Sequence, residues 1–175
     1  MPEFYVEGPF IVPCIAKGHG KVVDTKRLKE FWEDLGEGRS SSYGCYVFGM
    51  QVGRGLVPIY VGKATKSFKQ ECFTLDKLFK TNASLLHWKR GTPVLFLVPL
   101  ERKRGRVNAA LIATAEEFLI QNAVVRNPNL ANVRGTEQES WGIAGVLRGG
   151  KGKPSASARD FKRMMGLRQR SSQPG

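Results

Sequence analysis

Residues 44–62, GCYVFGMQVGRGLVPIYVG, contain two short runs of aromatic and β-branched residues with glycines between them. Runs of this composition favour β-strands, and the intervening glycines favour a connecting loop. The stretch therefore predicts a β-hairpin with one strand at 44–49 and the other at 57–62. Pro58 is expected near a strand start or on a sheet edge, because proline cannot donate a backbone hydrogen bond to a neighbouring strand.

Hydrophobic periodicity on both sides of the hairpin predicts the remaining elements. Apolar residues that recur every three or four positions favour amphipathic helices, whereas an unbroken apolar run between prolines favours a buried strand. These patterns predict helices at 25–36, 66–81, 109–124 and 156–166, a buried strand at 93–100 and a further strand at 141–147. Within the second helix one apolar stripe is expected, formed by Phe68, Cys72, Leu75 and Phe79. The order of helices and strands predicts an α+β domain.

The charge distribution points to a polyanionic partner. The 175 residues include 28 basic and 15 acidic side chains, for a net charge of +13. The excess lies in two blocks, 61–106 and 148–175, with net charges of +8 and +7. Clustered positive charge favours nucleic acid, because phosphate contacts release bound counterions. Charge alone leaves open an acidic protein, a membrane surface, or a solvated surface with a disordered tail at 168–175.

Composition excludes several other classes. No run approaches the roughly 18 apolar residues of a membrane span, and the first 14 residues do not resemble a secretory signal. The three cysteines are widely spaced, which argues against a disulfide framework and for a reducing compartment such as the cytoplasm. Because there is no CxxC pair and there are only two histidines, a structural zinc site is not expected either.

Two groups of residues have features that packing of the core alone does not explain. Tyr46 and Tyr60 lie on the two predicted hairpin strands, each with a glycine two residues away, and Lys63 follows the second tyrosine. Glu116 lies on or beside the apolar stripe of the helix at 109–124, whereas Glu117 has more polar neighbours. A carboxylate on a core-facing stripe needs a partner. That partner is either a basic side chain in a buried ion pair or a metal ion in a phosphate-cleaving site.

Together these residues resemble the GIY-YIG nuclease family over residues 44–132. Gly44-Cys45-Tyr46 matches the first triplet with cysteine in place of isoleucine, and Tyr60-Val61-Gly62 matches the second, followed by Lys63-Ala64. Residues 116–120, EEFLI, match the family's E-x-x-L-I helix motif, and residues 128–132, PNLAN, resemble its closing P…N element.

The resemblance implies a small α+β domain built on a three-stranded antiparallel sheet flanked by helices, here with N- and C-terminal helical extensions. It implies hydrolysis of DNA phosphodiester bonds with one divalent metal ion, Mg²⁺ or Mn²⁺. By position, Glu116 would bind the metal, Tyr46 would help to activate water, and Tyr60 would place the phosphate. Lys63 would lower a tyrosine pKa or contact phosphate, and Asn132 would order the site.

One family residue is missing. The family carries an arginine on the helix after the second triplet, and this chain has Gln70 or Glu71 at that place, depending on the alignment. Lys69 is the nearest cation and is the expected substitute, as a point charge without the bidentate geometry of arginine. A second carboxylate at Glu71 would either help to hold a metal ion or repel the phosphate.

The sequence thus predicts three segments: an N-terminal extension with an amphipathic helix at 1–42, a GIY-YIG-like catalytic domain at 43–135, and a basic C-terminal extension with a disordered tail at 136–175. The predicted function is a metal-dependent DNA endonuclease, located in the cytoplasm and not in a membrane. The alternative is a catalytically weak or inactive GIY-YIG domain that acts as a DNA-binding module. The residues expected to contact nucleic acid are Lys63, Lys66, Lys69, Arg102, Lys103, Arg104, Lys151 and Lys153.

Overall fold

The computed structural model describes residues 2–101, 107–131, 142–146, 148–149 and 153–167. Its strands are β1 (Glu3–Phe4), β2 (Glu7–Ile11), β3 (Cys14–Lys17), β4 (Gly20–Val23), β5 (Gly44–Val52), β6 (Gly55–Ala64), β7 (Thr92–Pro99), β8 (Gly142–Ala144) and β9 (Arg148–Gly149). Its helices are α1 (Leu28–Leu35), α2 (Glu37–Ser40), α3 (Phe68–Glu71), α4 (Leu75–Leu85), α5 (Ala109–Arg126) and α6 (Ala156–Met164), with a 3₁₀ turn at Thr25–Arg27 before α1.

The central sheet is antiparallel, in the order β2, β7, β5, β6. The predicted hairpin is confirmed as β5 and β6, and the predicted buried strand is confirmed as β7. The long loop expected between the two hairpin strands is wrong, because both strands continue and pair up to Val52 and Gly55. The sheet is one strand wider than the expected three, because β2 pairs with β7. The β2 sequence, EGPFI, includes a proline, and its position at the sheet edge tolerates the missing backbone donor. Pro58 likewise lies on an edge strand, where the pairing of β5 and β6 is irregular.

Alternate side chains of the sheet enter two separate cores. On one face, which we call the α5 face, Cys45 and Val47 pack with residues of α5 and α6. On the other, the α4 face, Tyr46, Phe48 and Tyr60 pack with residues of α1, α3 and the end of α4. Neighbouring residues of the two triplets therefore face opposite sides of the sheet.

The single helix predicted at 66–81 is two helices, α3 and α4, joined at Thr74 in an extended conformation. The expected common stripe is therefore wrong. Phe68 and Cys72 are fully buried, whereas Leu75 is 86% exposed and Phe79 is 76% exposed. A continuous helix would place all four side chains on its core-facing side, but the break at Thr74 interrupts that periodicity.

The segments expected as extensions contribute to both cores. Phe31, Trp32 and Leu35 of α1 are buried on the α4 face together with Tyr46. Phe161 of α6 is fully buried on the α5 face together with Phe96. The chain thus shares its cores across the boundaries predicted at residues 42 and 135. Residues 102–106 and the tail at 168–175 lie outside the described residues.

A strand is also present in the segment predicted at 141–147. Gly142–Ala144 forms β8, which pairs in parallel with β1 and β9. Among the described residues, no helix is both long enough and apolar enough to cross a membrane.

Candidate active site

The hairpin residues selected from the sequence lie on or next to β6, which is an edge strand of the central sheet. Tyr60 and Lys63 belong to β6, and Tyr46 lies on the neighbouring strand β5. Tyr60 and Gly62 belong to the α4 face, where Gly62 pairs across the strands with Tyr46. Lys63 pairs with Cys45 and so belongs to the α5 face. Because β6 pairs with β5 alone within the described part of the chain, a ligand lying along its outer edge could contact side chains of both faces.

On the α5 face, Lys63 forms an ion pair with Glu116. Its Nζ donates a hydrogen bond to Glu116 Oε2 at 2.6 Å. Helix α5 is capped by Asn108, whose side chain accepts a hydrogen bond from the backbone N–H of Leu111, and it buries an apolar stripe against the sheet. As predicted, Glu116 lies beside that stripe, and its side chain is only 15% exposed. Lys63 thus supplies the positive partner that a largely buried carboxylate requires.

On the α4 face, Tyr46 and Tyr60 lie side by side with ring centroids 6.2 Å apart. Tyr46 is completely buried, and within the described part of the chain its hydroxyl makes no hydrogen bond of regular geometry. Burial raises the pKa of Tyr60 to about 12 and also raises the pKa of Tyr46. Lys63 was expected to lower the pKa of a tyrosine, but both tyrosine pKa values are raised. Lys63 lies on the opposite face of the sheet from the two tyrosines. Both phenols are protonated at neutral pH and can donate hydrogen bonds.

The glycine of the second triplet makes room for the tyrosine of the first. A Cβ atom added to Gly62 would overlap with Cζ and the hydroxyl oxygen of Tyr46. A Cβ atom added to Gly44 would overlap with the carbonyl oxygen of Val98, and Gly44 has a φ of 150°. Gly44 thus allows β5 to lie close to β7, and Gly62 allows the Tyr46 ring to lie against β6.

We expect Gly62→Ala to lower the free energy of unfolding by about 1–3 kcal/mol, because the added methyl would overlap with the Tyr46 ring, which is buried among the rings of Phe48, Tyr60 and Phe68. Chemical denaturation of the two proteins measures the difference. Gly38→Ala is the matched control, because Gly38 lies in helix α2 and a Cβ atom added there meets no atom within 4 Å. Equal stability of Gly62→Ala and the wild type would contradict the packing argument.

A cation that the sequence did not single out lies beside the tyrosines. Lys77 of α4 places its Nζ 5.4 Å from the centre of the Tyr46 ring. The same ammonium donates to the carbonyl oxygens of Glu71 at 2.6 Å and Lys63 at 3.3 Å. The periodicity of a continuous helix at 66–81 could not reveal this position, because the break at Thr74 resets the orientation of α4.

The other residues near the missing arginine have different surroundings. Glu71 Oε1 accepts the backbone N–H groups of Thr65 and Lys66, so it closes the loop after β6 and is not directed at Glu116. Lys69 is exposed on α3, and Lys66 is exposed in the loop. The structure therefore brings Lys77, and not Lys69, to the tyrosine pair.

Several predicted residues cannot be placed. Asn132, Arg102, Lys103, Arg104 and Lys151 lie outside the described residues. Lys153 is described and is exposed.

The donor set restricts the kind of metal site that is feasible. Among the described residues, no group of three or more His, Cys, Asp or Glu side chains could hold a metal ion. Mg²⁺ differs from zinc in this respect, because it keeps several waters and is commonly bound through one or two carboxylates plus substrate phosphate. Glu116 fits that mode, provided that the ion shares the carboxylate with Lys63 or displaces it. A closed, all-protein metal cage does not fit the described residues.

Comparison with known proteins does not identify the chain: no family model, no curated protein and no solved structure matches it.

Proposed function

We propose that the chain is a metal-dependent endonuclease of the GIY-YIG type that hydrolyses DNA phosphodiester bonds. The observation that carries the proposal is the Lys63–Glu116 pair, a largely buried carboxylate and a cation beside the same edge strand that bears Tyr60. The net charge of +13 and the order of the four sequence motifs support it further. The proposed catalytic unit is residues 43–135, completed structurally by α1 and α6.

Each residue would have a distinct part in the chemistry. Glu116 would hold Mg²⁺ or Mn²⁺, which supplies Lewis-acid stabilisation of the charge that develops on the phosphate. Lys63 would exchange its bond with Glu116 for a phosphate oxygen. Tyr60 is 5% exposed, whereas Tyr46 is fully buried, so the protonated Tyr60 hydroxyl is the one that would donate a hydrogen bond to the phosphate or to the attacking water. Tyr46 is buried in the present conformation, so its direct contribution would be to position Tyr60. Two roles implied by the family resemblance stay predictions: that Tyr46 activates the attacking water, and that Asn132 orders the site.

The competing function is a DNA-binding module without cleavage. One observation favours it: the Tyr46 hydroxyl is buried, out of reach of a water molecule or a phosphate in this conformation. The basic residues would then serve phosphate binding alone. Both functions fit a reducing cytoplasm, since Cys14, Cys45 and Cys72 are all unpaired thiols.

A cleavage and binding assay on the same substrates separates the two functions. Labelled duplex, nicked, branched and single-stranded DNA are incubated with the protein and Mg²⁺, Mn²⁺ or EDTA, and binding is measured in EDTA. The nuclease proposal expects metal-dependent product, with affinity that falls as salt rises. Binding without product under every metal condition would support the module. Failure to bind any of these substrates would contradict both.

We expect Lys77→Met to lower the rate of cleavage by a factor on the order of 10², because it removes a positive charge that lies 5.4 Å from the centre of the Tyr46 ring. Lys77→Arg keeps that charge and should retain part of the rate. Lys69→Ala is the matched comparison and should change the rate by less than about threefold, since Lys69 is exposed on α3. Single-turnover cleavage at saturating protein measures all three. If Lys69→Ala lowers the cleavage rate more than Lys77→Met does, then Lys69 is the residue that substitutes for the missing arginine.

A further inference from the structure

A cavity of about 780 Å³ lies between α4 and the segment that follows α5. Its size is within the range of about 300–1,000 Å³ that is typical of ligand-binding clefts. Among the described residues, Tyr46, Tyr60, Lys63 and Glu116 do not line it. The cavity is therefore separate from the proposed hydrolytic residues, although its wall includes Ile59 of the same edge strand.

Two aromatic side chains line this cavity. Phe79 is 76% exposed, and Trp88, which follows the end of α4, is half-buried. A phenylalanine held this far into solvent beside a cavity contributes little to the fold and presents its ring for contact. Flat aromatic surfaces of this kind stack on nucleobases of any sequence, because every base has a π-face.

The polar part of the lining suits the edge of a base and an adjoining phosphate. Ser84, His87 and Asn129 carry side-chain donors and acceptors, and Asn129 and His87 are exposed. Lys80 contributes an ammonium that is paired with Asp76, its Nζ 2.8 Å from Asp76 Oδ2, and a phosphate would replace that exposed carboxylate as its partner. Among the described residues that line the cavity, none carries a carboxylate. This composition disfavours a cationic or strongly basic ligand.

We propose that the cavity binds one unpaired nucleobase of the nucleic acid whose backbone passes along the outer edge of β6. The inference rests on the proposed function and specifies its substrate as DNA with an unpaired or extruded base. Ala131 donates its backbone N–H to the carbonyl oxygen of Ile59 at 3.2 Å, which fixes the cavity wall to β6. Ile59 precedes Lys63 by four residues, about 13 Å along a strand. That distance corresponds to about four stacked nucleotides between the bound base and the cleaved bond.

The test compares three ligands in EDTA, so that it does not depend on cleavage. They are a fluorescein-labelled oligothymidylate, a blunt duplex, and the same duplex with one central unpaired thymine. Phe79→Ala should weaken binding of the oligothymidylate and of the bulged duplex by about 5- to 100-fold. It should change binding of the blunt duplex by less than twofold. Addition of oligothymidylate should quench tryptophan fluorescence, and Trp88→Phe should remove most of that quenching.

Leu75→Ala is the matched control, because Leu75 is an apolar residue on the same helix, 86% exposed and outside the cavity lining. It should bind all three ligands like the wild type. Equal losses in Leu75→Ala and Phe79→Ala would indicate a general apolar patch, such as a protein-docking surface, and would overturn the proposal. So would a Phe79→Ala loss of the same size for the blunt duplex, or no loss for any ligand. If the protein binds the oligothymidylate and the bulged duplex selectively but shows no metal-dependent cleavage, the base-binding cavity is supported and the proposed nuclease function is contradicted.

Discussion

The Glu116→Gln variant is expected to lose metal-dependent cleavage by a factor on the order of 10²–10³, the loss typical of removing one preorganised charge from a phosphate-cleaving or oxyanion site. Glutamine keeps the size of the side chain and still offers an oxygen to Lys63 Nζ, which now lies 2.6 Å from Glu116 Oε2. The fold and the affinity for DNA in EDTA should therefore be preserved. Single-turnover cleavage over a range of Mg²⁺ and Mn²⁺ concentrations, together with a thermal unfolding curve, measures these effects.

The neighbouring Glu117→Gln is the control for this prediction. It makes the same chemical change one residue along α5, about 100° around the helix axis from Glu116. We expect its cleavage rate to stay within about threefold of the wild type, because the carboxylate bonded to Lys63 and assigned to the metal ion is that of Glu116. If the two variants behave alike, or if Glu117 is the sensitive position, then Glu116 is a structural partner of Lys63 and does not bind the metal ion.

Local composition was sufficient to predict the hairpin, β7 and α5. The β5 and β6 strands are dense in β-branched and aromatic residues, and α5 has an unbroken apolar stripe ending at Asn127-Pro128. These signals depend on neighbouring residues only, so they survive in the folded chain. The position of Glu116 beside the α5 stripe follows from the same periodicity, and its need for a partner follows from burial.

Features that depend on distant parts of the chain could not be predicted in this way. The strand β2 exists because the exposed edge of β7 accepts it, which its five residues do not reveal. The separation of Tyr60 and Lys63 onto opposite faces follows from strand alternation, but which helix covers each face is set by tertiary packing. Lys77 approaches the Tyr46 ring on a helix that starts anew after Thr74, with Leu75 and Phe79 exposed to solvent. Tertiary packing of this kind overrides a helical pattern that runs through residues 66–81.

The C-terminal helix offers the largest expected effect on stability. Phe161 is completely buried, and its ring lies 5.4 Å from that of Phe96, with the two planes at 68°. Phe161→Ala should lower the free energy of unfolding by about 3–5 kcal/mol, because it leaves a cavity in the core on the α5 face. Chemical denaturation followed by circular dichroism measures the change.

Phe79→Ala provides the matched control, since it removes the same side chain from a position that is 76% exposed. It should change the free energy of unfolding by no more than about 0.5 kcal/mol. A large difference between the two variants would establish that α6 is part of the folded domain, although its basic sequence first suggested an extension outside the catalytic unit. A small loss in Phe161→Ala would mean that α6 detaches at low cost, and that the core on the α5 face closes through α5 and the sheet alone. In that case the basic residues of α6 would be free to follow the nucleic acid independently of the site at Glu116.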